Sequence, residues 1–198
     1  MTVIGIVRHG ITEWNLSGIA QGSSDVPLNE TGKSQAAALA DRLSAEERWD
    51  MIISSDLARA KETAEIISEN LALPISFFDT RLREMSGGEI EGTTEQQRLE
   101  KWGAEWRKLD LGMESSDSVG KRGSEAIDSI LKEFAGKRVL VVSHGALIGI
   151  TLRRMLPERF EKTDLQNTSI TILEHNGSEW DCTLYNCVKH LETAGVRD

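Results

Sequence analysis

The stretch TVIGIVRHG, residues 2–10, joins an apolar run to an arginine, a histidine and a glycine. The apolar part is nearly continuous in Val and Ile and lacks the alternation of a half-exposed strand, which is typical of a strand buried on both faces. Arg8 and His9 follow at the point where this strand ends. In an open sheet of parallel strands, ligands gather outside the carboxyl ends of the strands, so these two residues indicate a site there.

Three more apolar runs predict strands of the same sheet after the first at residues 2–7, namely residues 50–54 (DMIIS), 74–78 (PISFF) and 138–143 (RVLVVS). Apolar residues at helical spacing lie between the strands. The predicted helices carry three apolar stripes: Ala36, Leu39, Ala40 and Leu43; Leu57, Ala60, Ala64, Ile67 and Leu71; Val119, Ile127, Ile130, Leu131 and Phe134.

Near the end of the chain, two strand-like runs flank Asn176 and Gly177, a pair that favours a hairpin turn. The whole pattern predicts an α/β protein. We expect a three-layer sandwich with a mostly parallel central sheet, helices on both faces and an antiparallel C-terminal edge. The loosest stretch, residues 111–123 (LGMESSDSVGKRG), is predicted to be a long loop that enters a helix.

Composition and charge narrow the possible functions. The chain has 198 residues, of which 39% are apolar and 28% charged, enough for one sizeable core, so we expect a single domain over residues 1–198. The formal net charge of −9 predicts a surface that repels nucleic acids and anionic membranes. Any phosphate-binding site must therefore be a local cluster of basic residues.

The cysteines and the N-terminus favour a cytoplasmic protein. Cys182 and Cys187 belong to one extended segment, which holds them too far apart to form a disulfide. The first residues lack the basic region of a signal peptide, and no stretch reaches the roughly 18 apolar residues of a membrane-spanning helix. His175 and His190 are expected to be exposed and without a role.

A second predicted strand ends as the first does. VSHG, residues 142–145, brings His144 and Gly145 to the end of the fourth strand. If the two strands are neighbours, His9 and His144 emerge side by side, while Gly10 and Gly145 allow a ligand to approach the backbone.

Other polar side chains reach the same edge. Arg59 lies in the first turn of the helix after the second strand, and Glu84 follows the third strand. Two histidines and a glutamate could ligate zinc, but Arg8 and Arg59 would then lie against the cation. Guanidinium groups instead bind phosphoryl oxygens in a bidentate manner. We therefore predict an anion site in which a histidine is the reactive group.

Five motifs follow one another along the chain: RHGITEWN (8–15), QGSSDVPLNETGKSQA (21–36), SSDLARAKETA (54–64), RLREMSGGEIEG (81–92) and VVSHG (141–145). In order and spacing they resemble the histidine phosphatase superfamily, also called the phosphoglycerate mutase-like family. The resemblance covers nearly the whole chain.

The resemblance implies a role for each matched residue. His9 is the nucleophile that becomes phosphorylated, and Glu84 gives a proton to the leaving group. The phosphoryl oxygens are held by basic side chains and by residues of the neighbouring loops and backbone. These residues are Arg8, Asn15, Gln21, Gly22, Arg59, His144 and Gly145. The family hydrolyses phosphomonoesters without metal or cofactor, so we expect a small phosphate ester as substrate and no metal ligands.

Two alternatives stay open. Mutases of the family carry a longer insertion between the acid and the second histidine. Here 59 residues, from Met85 to Ser143, separate Glu84 from His144, which favours a phosphatase. A non-catalytic phosphoester-binding module is the alternative of another class.

Trp102 and Trp106 are interpreted as one turn apart on a helix, where they either cover the crevice or pack the helix onto the body. Substrate identity and oligomeric state do not follow from the sequence.

Overall fold

The computed structural model describes residues 1–46 and 48–195. In these residues six strands form one sheet: β1 (Thr2–Arg8), β2 (Met51–Ser54), β3 (Ile75–Phe78), β4 (Arg138–Ser143), β5 (Ile170–His175) and β6 (Trp180–Cys187). Their order across the sheet is β3-β2-β4-β1-β5-β6. The first four strands run parallel, and β5 pairs antiparallel with both β1 and β6. The predicted mostly parallel sheet with an antiparallel C-terminal edge is confirmed.

The same two ranges contain seven α-helices: α1 (Glu13–Leu16), α2 (Glu30–Glu46), α3 (Ala58–Leu71), α4 (Glu95–Trp102), α5 (Ser116–Glu133), α6 (Gly145–Met155) and α7 (Lys189–Ala194). Val139 and Val141 of β4 pack into one buried cluster with α5 and α6. Leu140 and Val142 point the other way and pack against α2 and α3. Since successive side chains of a strand face opposite sides, the central strand is covered on both faces and the three-layer architecture is confirmed.

The pairing of β1 with β4 determines where the site lies. The two strands are parallel neighbours, and Arg8 pairs with Ser143. Both strands therefore end at the same level, and the next residue of each chain segment is a histidine. The neighbour relationship that the sequence left conditional is present.

Two expectations about individual segments were wrong, and a third was right only in part. β3 is an edge strand that pairs only with β2, and its Phe77 and Phe78 are exposed. The stretch predicted as a loop that enters a helix does so earlier than expected: helix α5 begins at Ser116, where the Ser115 side chain accepts a hydrogen bond from Ser118 N. His190 is buried and lies 3.1 Å from Thr168 Oγ1 through Nε2, although a polar tail was expected.

Two expectations about the last part of the sheet hold. The hairpin of β5 and β6 turns at Asn176 and Gly177, and Gly177 has a φ of 109°, which favours glycine. Cys182 and Cys187 are both free thiols. Across the described ranges, none of the helices has the length and the apolar character needed to cross a membrane.

Candidate active site

His9 and His144 meet at the carboxyl ends of β1 and β4. Their ring centroids are 5.2 Å apart, and the ring planes are tilted by 55°. Both side chains are buried, with 2% and 0% of their surface exposed. The sequence thus placed two imidazoles correctly at one edge, and the structure brings them into direct contact.

A backbone carbonyl fixes the tautomer of His9. The Nδ1 atom of His9 lies 2.7 Å from the carbonyl oxygen of Gly10. Because a carbonyl can only accept a hydrogen bond, Nδ1 carries the proton and donates it. Nε2 makes no hydrogen bond to any residue that the structure describes, so its lone pair is available for nucleophilic attack.

The surroundings keep His9 neutral. Burial is the largest influence and lowers the pKa of His9 well below its ordinary 6.5; the charges of Arg59 and then Arg8 lower it further, and the Gly10 carbonyl opposes them. Burial and Arg59 therefore contribute more to this lowering of the pKa than Arg8 does.

Ser55 determines the orientation of His144. Ser55 Oγ lies 2.8 Å from Nε2 of His144 and accepts a hydrogen bond from Leu57 N at 3.3 Å. Ser55 is buried, and among the described residues its hydroxyl proton has no acceptor other than Nε2; donation to Nε2 leaves the proton of His144 on Nδ1. Burial, followed by the charge of Arg59, lowers the pKa of His144 well below its ordinary value.

Arg59 is fully buried and is held by a loop. Its Nη1 and Nη2 atoms donate to the carbonyl oxygens of Ser24 and Gly22 at 2.9 and 2.8 Å. Burial lowers the pKa of Arg59 to about 10, with Glu84 the largest opposing charge. Arg59 therefore stays cationic at neutral pH, and its guanidinium plane is fixed by two backbone groups.

The connection between α6 and β5 holds the end of β1. Arg8 donates from Nη1 to the carbonyl oxygen of Leu165. The His9 carbonyl accepts hydrogen bonds from Asn167 Nδ2 at 3.0 Å and from Thr168 N at 3.2 Å. Thr168 has a φ of 54°, a conformation that a β-branched residue adopts at an energetic cost. The stretch LQNTS thus supplies supports that sequence reasoning did not identify.

Glu84 reaches the site from the end of a loop and is held by a helix N-terminus. Its Oε1 atom accepts hydrogen bonds from Met85 N at 2.9 Å and Leu147 N at 3.0 Å, and Oε2 accepts one from Ala146 N at 3.2 Å. Ala146 and Leu147 belong to the first turn of α6, whose N–H groups have no partner within the helix. Oε2 has the single, longer hydrogen bond.

Asn15 and Gln21 form an outer layer. Asn15 Oδ1 accepts from Thr12 N at 3.1 Å and closes the N-terminus of α1 as a capping box. Gln21 Oε1 lies 3.0 Å from Thr12 Oγ1. Asn167 Nδ2 comes within 3.5 Å of Asn15 Oδ1, which connects this layer to His9. In both amides the oxygen is engaged by Thr12, so the NH2 group is the part available to a ligand.

The two glycines assigned to the site act through their backbones. Gly22 has a φ of 49°, and a Cβ there would meet Glu91 Oε1 at 2.1 Å, so only glycine fits. Gly145 is the first residue of α6, and a Cβ there would lie 3.2 Å from Arg8 Nε. The absence of a side chain at Gly145 leaves room for the Arg8 guanidinium.

Glu91 braces the loop that holds Arg59, and sequence reasoning missed it. Its Oε1 accepts from Ser23 N and Gly87 N, both at 2.8 Å, and its Oε2 accepts from Ser24 Oγ at 2.7 Å. These hydrogen bonds outweigh burial and lower the pKa of Glu91. The available sequence signal was a carboxylate among the glycines of SGGEIEG, residues 86–92.

Trp102 and Trp106 do not share a helix. Helix α4 ends at Trp102, and Gly103 follows with a φ of 79°, which turns the chain away. Trp106 is buried in a small cluster with Ile90 and Leu111, and Trp102 packs against it. The interpretation that the tryptophans pack the segment onto the body is the one that the structure supports.

The chemistry of the site is that of an anion receptor. Arg59 Nε and His144 Nδ1 are buried and have no hydrogen-bond partner in the described part of the chain. Unpaired buried donors are costly, and a phosphoryl oxygen would satisfy them. Over residues 1–46 and 48–195, no group of three or more His, Cys, Asp or Glu side chains is arranged to hold a metal ion.

Comparisons with known proteins agree on one family. The model of the histidine phosphatase superfamily (branch 1) matches residues 4–188. The uncharacterized phosphatase PhoE of Bacillus subtilis is 34% identical over 194 residues, which cover 96% of this chain and 97% of that protein. A metal-independent phosphoserine phosphatase of Arabidopsis thaliana is 33% identical, and the matched region covers 98% of this chain and 85% of that protein. The probable phosphoglycerate mutase GpmB of Yersinia enterocolitica is 35% identical over 192 residues, which cover 91% of this chain and 88% of that protein.

A solved structure shows the same fold. The chain superposes on Bacillus stearothermophilus YhfR with a TM-score of 0.85 and 32% sequence identity, covering 96% of this chain and 100% of that one.

Proposed function

Because the chain belongs to the histidine phosphatase superfamily, we propose that it is a phosphatase that hydrolyses small phosphomonoesters through a phosphohistidine on Nε2 of His9. One observation carries the proposal. Two buried donors without a partner in the described residues, Arg59 Nε and His144 Nδ1, lie beside a histidine whose only protonated nitrogen is bound to the Gly10 carbonyl. The site thus combines a free nucleophile with donors for an anion.

The first half-reaction transfers the phosphoryl group to the enzyme. The Nε2 lone pair of His9 attacks phosphorus, the P–O bond to the leaving group breaks, and the departing alkoxide takes a proton from Glu84. Arg8, Arg59 and His144 stabilise the charge on the equatorial oxygens through donors that are already in place, which is commonly the largest contribution to catalysis. Asn15 and Gln21 assist with their side-chain NH2 groups, and Gly22 and Gly145 through the backbone.

The second half-reaction restores the enzyme. Glu84, now a carboxylate, takes a proton from water as the water oxygen attacks phosphorus. The P–Nε2 bond breaks, inorganic phosphate leaves, and His9 returns to its neutral form. Splitting one hydrolysis into two displacements lowers the barrier of each. Neither half-reaction requires a metal ion or an organic cofactor.

We further propose that one domain over residues 1–198 carries this activity in the cytoplasm, with a small phosphate ester as partner and with neither nucleic acid nor membrane. The net charge of −9 supports the last point. The phosphoserine phosphatase among the relatives supports a small-molecule substrate.

A phosphoglycerate mutase is the second candidate, favoured by the mutase names among the relatives. The short connection between Glu84 and His144 argues for the phosphatase. A non-catalytic phosphoester-binding module is the third reading. It predicts that turnover does not depend on His9.

The decisive experiment is product analysis of the purified protein in EDTA. The panel contains phosphoserine, glycerol phosphate and 3-phosphoglycerate, the last with and without 2,3-bisphosphoglycerate. Release of inorganic phosphate by the wild type and its loss in His9→Ala support the proposal, and His175→Gln is the matched control in a histidine outside the site. Formation of 2-phosphoglycerate identifies a mutase. Activity that appears only with a divalent metal, or that survives in His9→Ala, contradicts the phosphohistidine mechanism.

A further inference from the structure

An ion pair outside the phosphoryl pocket encloses the backbone on both sides of Glu84. Arg122 lies in α5, and Glu114 lies in the loop before that helix. Arg122 Nε donates to Glu114 Oε1 at 2.9 Å, and Nη2 donates to Glu114 Oε2 at 2.8 Å, which makes the pair bidentate. About a fifth of each side chain is exposed, 19% and 20%.

The remaining donors of Arg122 go to the chain that leads to Glu84. Nη1 donates to the carbonyl oxygens of Arg81 and Arg83 at 2.7 and 2.6 Å, and Nη2 also donates to that of Glu84 at 3.1 Å. All five N–H groups of the guanidinium are thereby used. A lysine has three donors in a different geometry and cannot make this set.

Glu114 makes hydrogen bonds to the backbone on the other side of Glu84. The backbone N of Glu114 donates to the carbonyl oxygen of Ser86 at 2.9 Å, and the Glu114 carboxylate lies 3.4 Å from Ser86 N. Ser118 Oγ donates to the same carboxylate at 2.9 Å. Arg122 lowers the pKa of Glu114, so the pair remains ionised at neutral pH.

We propose that Arg122 and Glu114 are positioning residues that fix the proton-donating carboxyl of Glu84 against the leaving-group oxygen. Neither touches the substrate. Their hydrogen bonds fix the backbone of residues 81–86, and the Glu84 side chain reaches from this segment to the N-terminus of α6. The inference rests on the proposed function, because it assigns a purpose to the orientation of the acid.

The readout is the dependence of kcat/KM on the leaving group. For this mechanism kcat/KM reports the steps through formation of the phosphohistidine. An alkoxide departs only with a proton, whereas p-nitrophenolate leaves without help from an acid. Loss of a general acid lowers the rate by about 10²–10⁴ where the proton is needed. Glu84→Gln should therefore lower kcat/KM strongly for glycerol phosphate and little for p-nitrophenyl phosphate.

Arg122→Lys and Glu114→Gln should reproduce that selectivity in milder form. We expect kcat/KM for glycerol phosphate to fall about ten- to a hundredfold, as for a small misplacement of a catalytic group, while the value for p-nitrophenyl phosphate changes far less. In a Glu84→Gln background, Arg122→Lys should cause no further selective loss. Asp117→Asn and Arg154→Lys, which alter the exposed Arg154–Asp117 pair, are the matched controls and should leave both substrates unaffected.

The outcomes separate the inference from the proposed function. Equal loss on both esters in Glu84→Gln contradicts the acid role of Glu84 itself. A selective loss in Glu84→Gln together with equal or no losses in the pair variants overturns the inference and leaves the function standing. If Arg122→Lys does not fold by circular dichroism, Glu114→Gln decides, since Arg122 can still bind the three carbonyl oxygens in that variant.

Discussion

The imidazole rings of His9 and His144 pack with their centroids 5.2 Å apart, although the two residues are distant in sequence. Two protonated rings at this distance would repel each other and the nearby guanidiniums of Arg8 and Arg59. Burial acts in the same direction, and the pKa of each histidine is lowered well below 6.5. The pair is therefore built as two neutral rings, one with a free lone pair and one with a free N–H.

His9 should stay neutral in mildly acidic solution. Its pKa in the folded protein is lowered, so the deprotonated form persists as the pH falls through 6.5. We predict that the ring resonances of His9 in a ¹⁵N-labelled sample do not change between pH 7.5 and about 5.5, whereas free imidazole in the same tube titrates. Arg59→Met should raise the apparent pKa of His9, because Arg59 is the larger of the two cationic influences. A midpoint near 6.5 in the wild type contradicts the prediction.

Arg59→Lys should weaken phosphate binding although the charge is kept. A lysine cannot bind the carbonyl oxygens of Gly22 and Ser24 and present a planar fork to a ligand at the same time. A lost hydrogen bond to a charged group costs about 1.5–3 kcal/mol, so the inhibition constant of inorganic phosphate should rise by about ten- to a hundredfold. Arg83→Lys is the control, since the Arg83 side chain pairs with Asp56 at the surface. An unchanged inhibition constant in Arg59→Lys would mean that Arg59 does not bind the phosphoryl group.

His190 should make the fold sensitive to acid. Burial lowers its pKa to about 4, against 6.5 in the unfolded chain. Between these values the unfolded state binds more protons, so the free energy of unfolding falls as the pH decreases from 6.5 towards 4. The expected contribution is on the order of 2 kcal/mol.

Urea denaturation of the wild type and His190→Gln at pH 7 and pH 4.5 measures the contribution of His190. The variant should lose less stability between the two pH values, because one of the histidines that are buried in the neutral form has been removed. His175→Gln, at a partly exposed position, is the comparison. An equal loss in wild type and His190→Gln contradicts the assignment.

Two glycines of α5 should respond differently to alanine. A Cβ at Gly123 would lie 2.0 Å from Thr151 Oγ1 of α6, so the two helices must separate. Overpacking of this kind costs about 1–3 kcal/mol. A Cβ at Gly120 would meet Arg154 Cδ and Ile150 Cγ2 at 3.2 Å, which a small side-chain shift relieves. Gly120→Ala also gains up to about 1 kcal/mol of helix propensity. In thermal unfolding, Gly120→Ala should have a higher melting temperature than Gly123→Ala, and the reverse order contradicts the packing argument.

The strands and most helices could be predicted because their apolar residues follow the periods of buried structure. The four predicted parallel strands match the observed ones to within one residue at each end. The predictions of burial failed where the exposure of a segment depends on which other segments pack against it in the folded protein. The run PISFF contains apolar residues suited to a buried strand, but its place at the edge of the sheet leaves Phe77 and Phe78 exposed. His190 lies in a polar segment, and its burial follows from contacts with distant residues such as Thr168.

The sequence by itself determined the class of the fold and the types of groups at its edge, because apolar periodicity and the residues at strand ends are local properties. It also carried the five motifs on which the resemblance rests. Only the tertiary structure decided which groups meet. The parallel pairing of β1 with β4 aligns the two histidines, the Gly10 carbonyl selects the nitrogen of His9 that is free, and Arg122 with Glu114 holds the backbone on both sides of Glu84. The strand pairing and the contacts of Arg122 and Glu114 depend on hydrogen bonds between segments remote in sequence, and the contact of His9 with Gly10 depends on the backbone conformation at the end of β1. Their geometry exists only when the chain is folded.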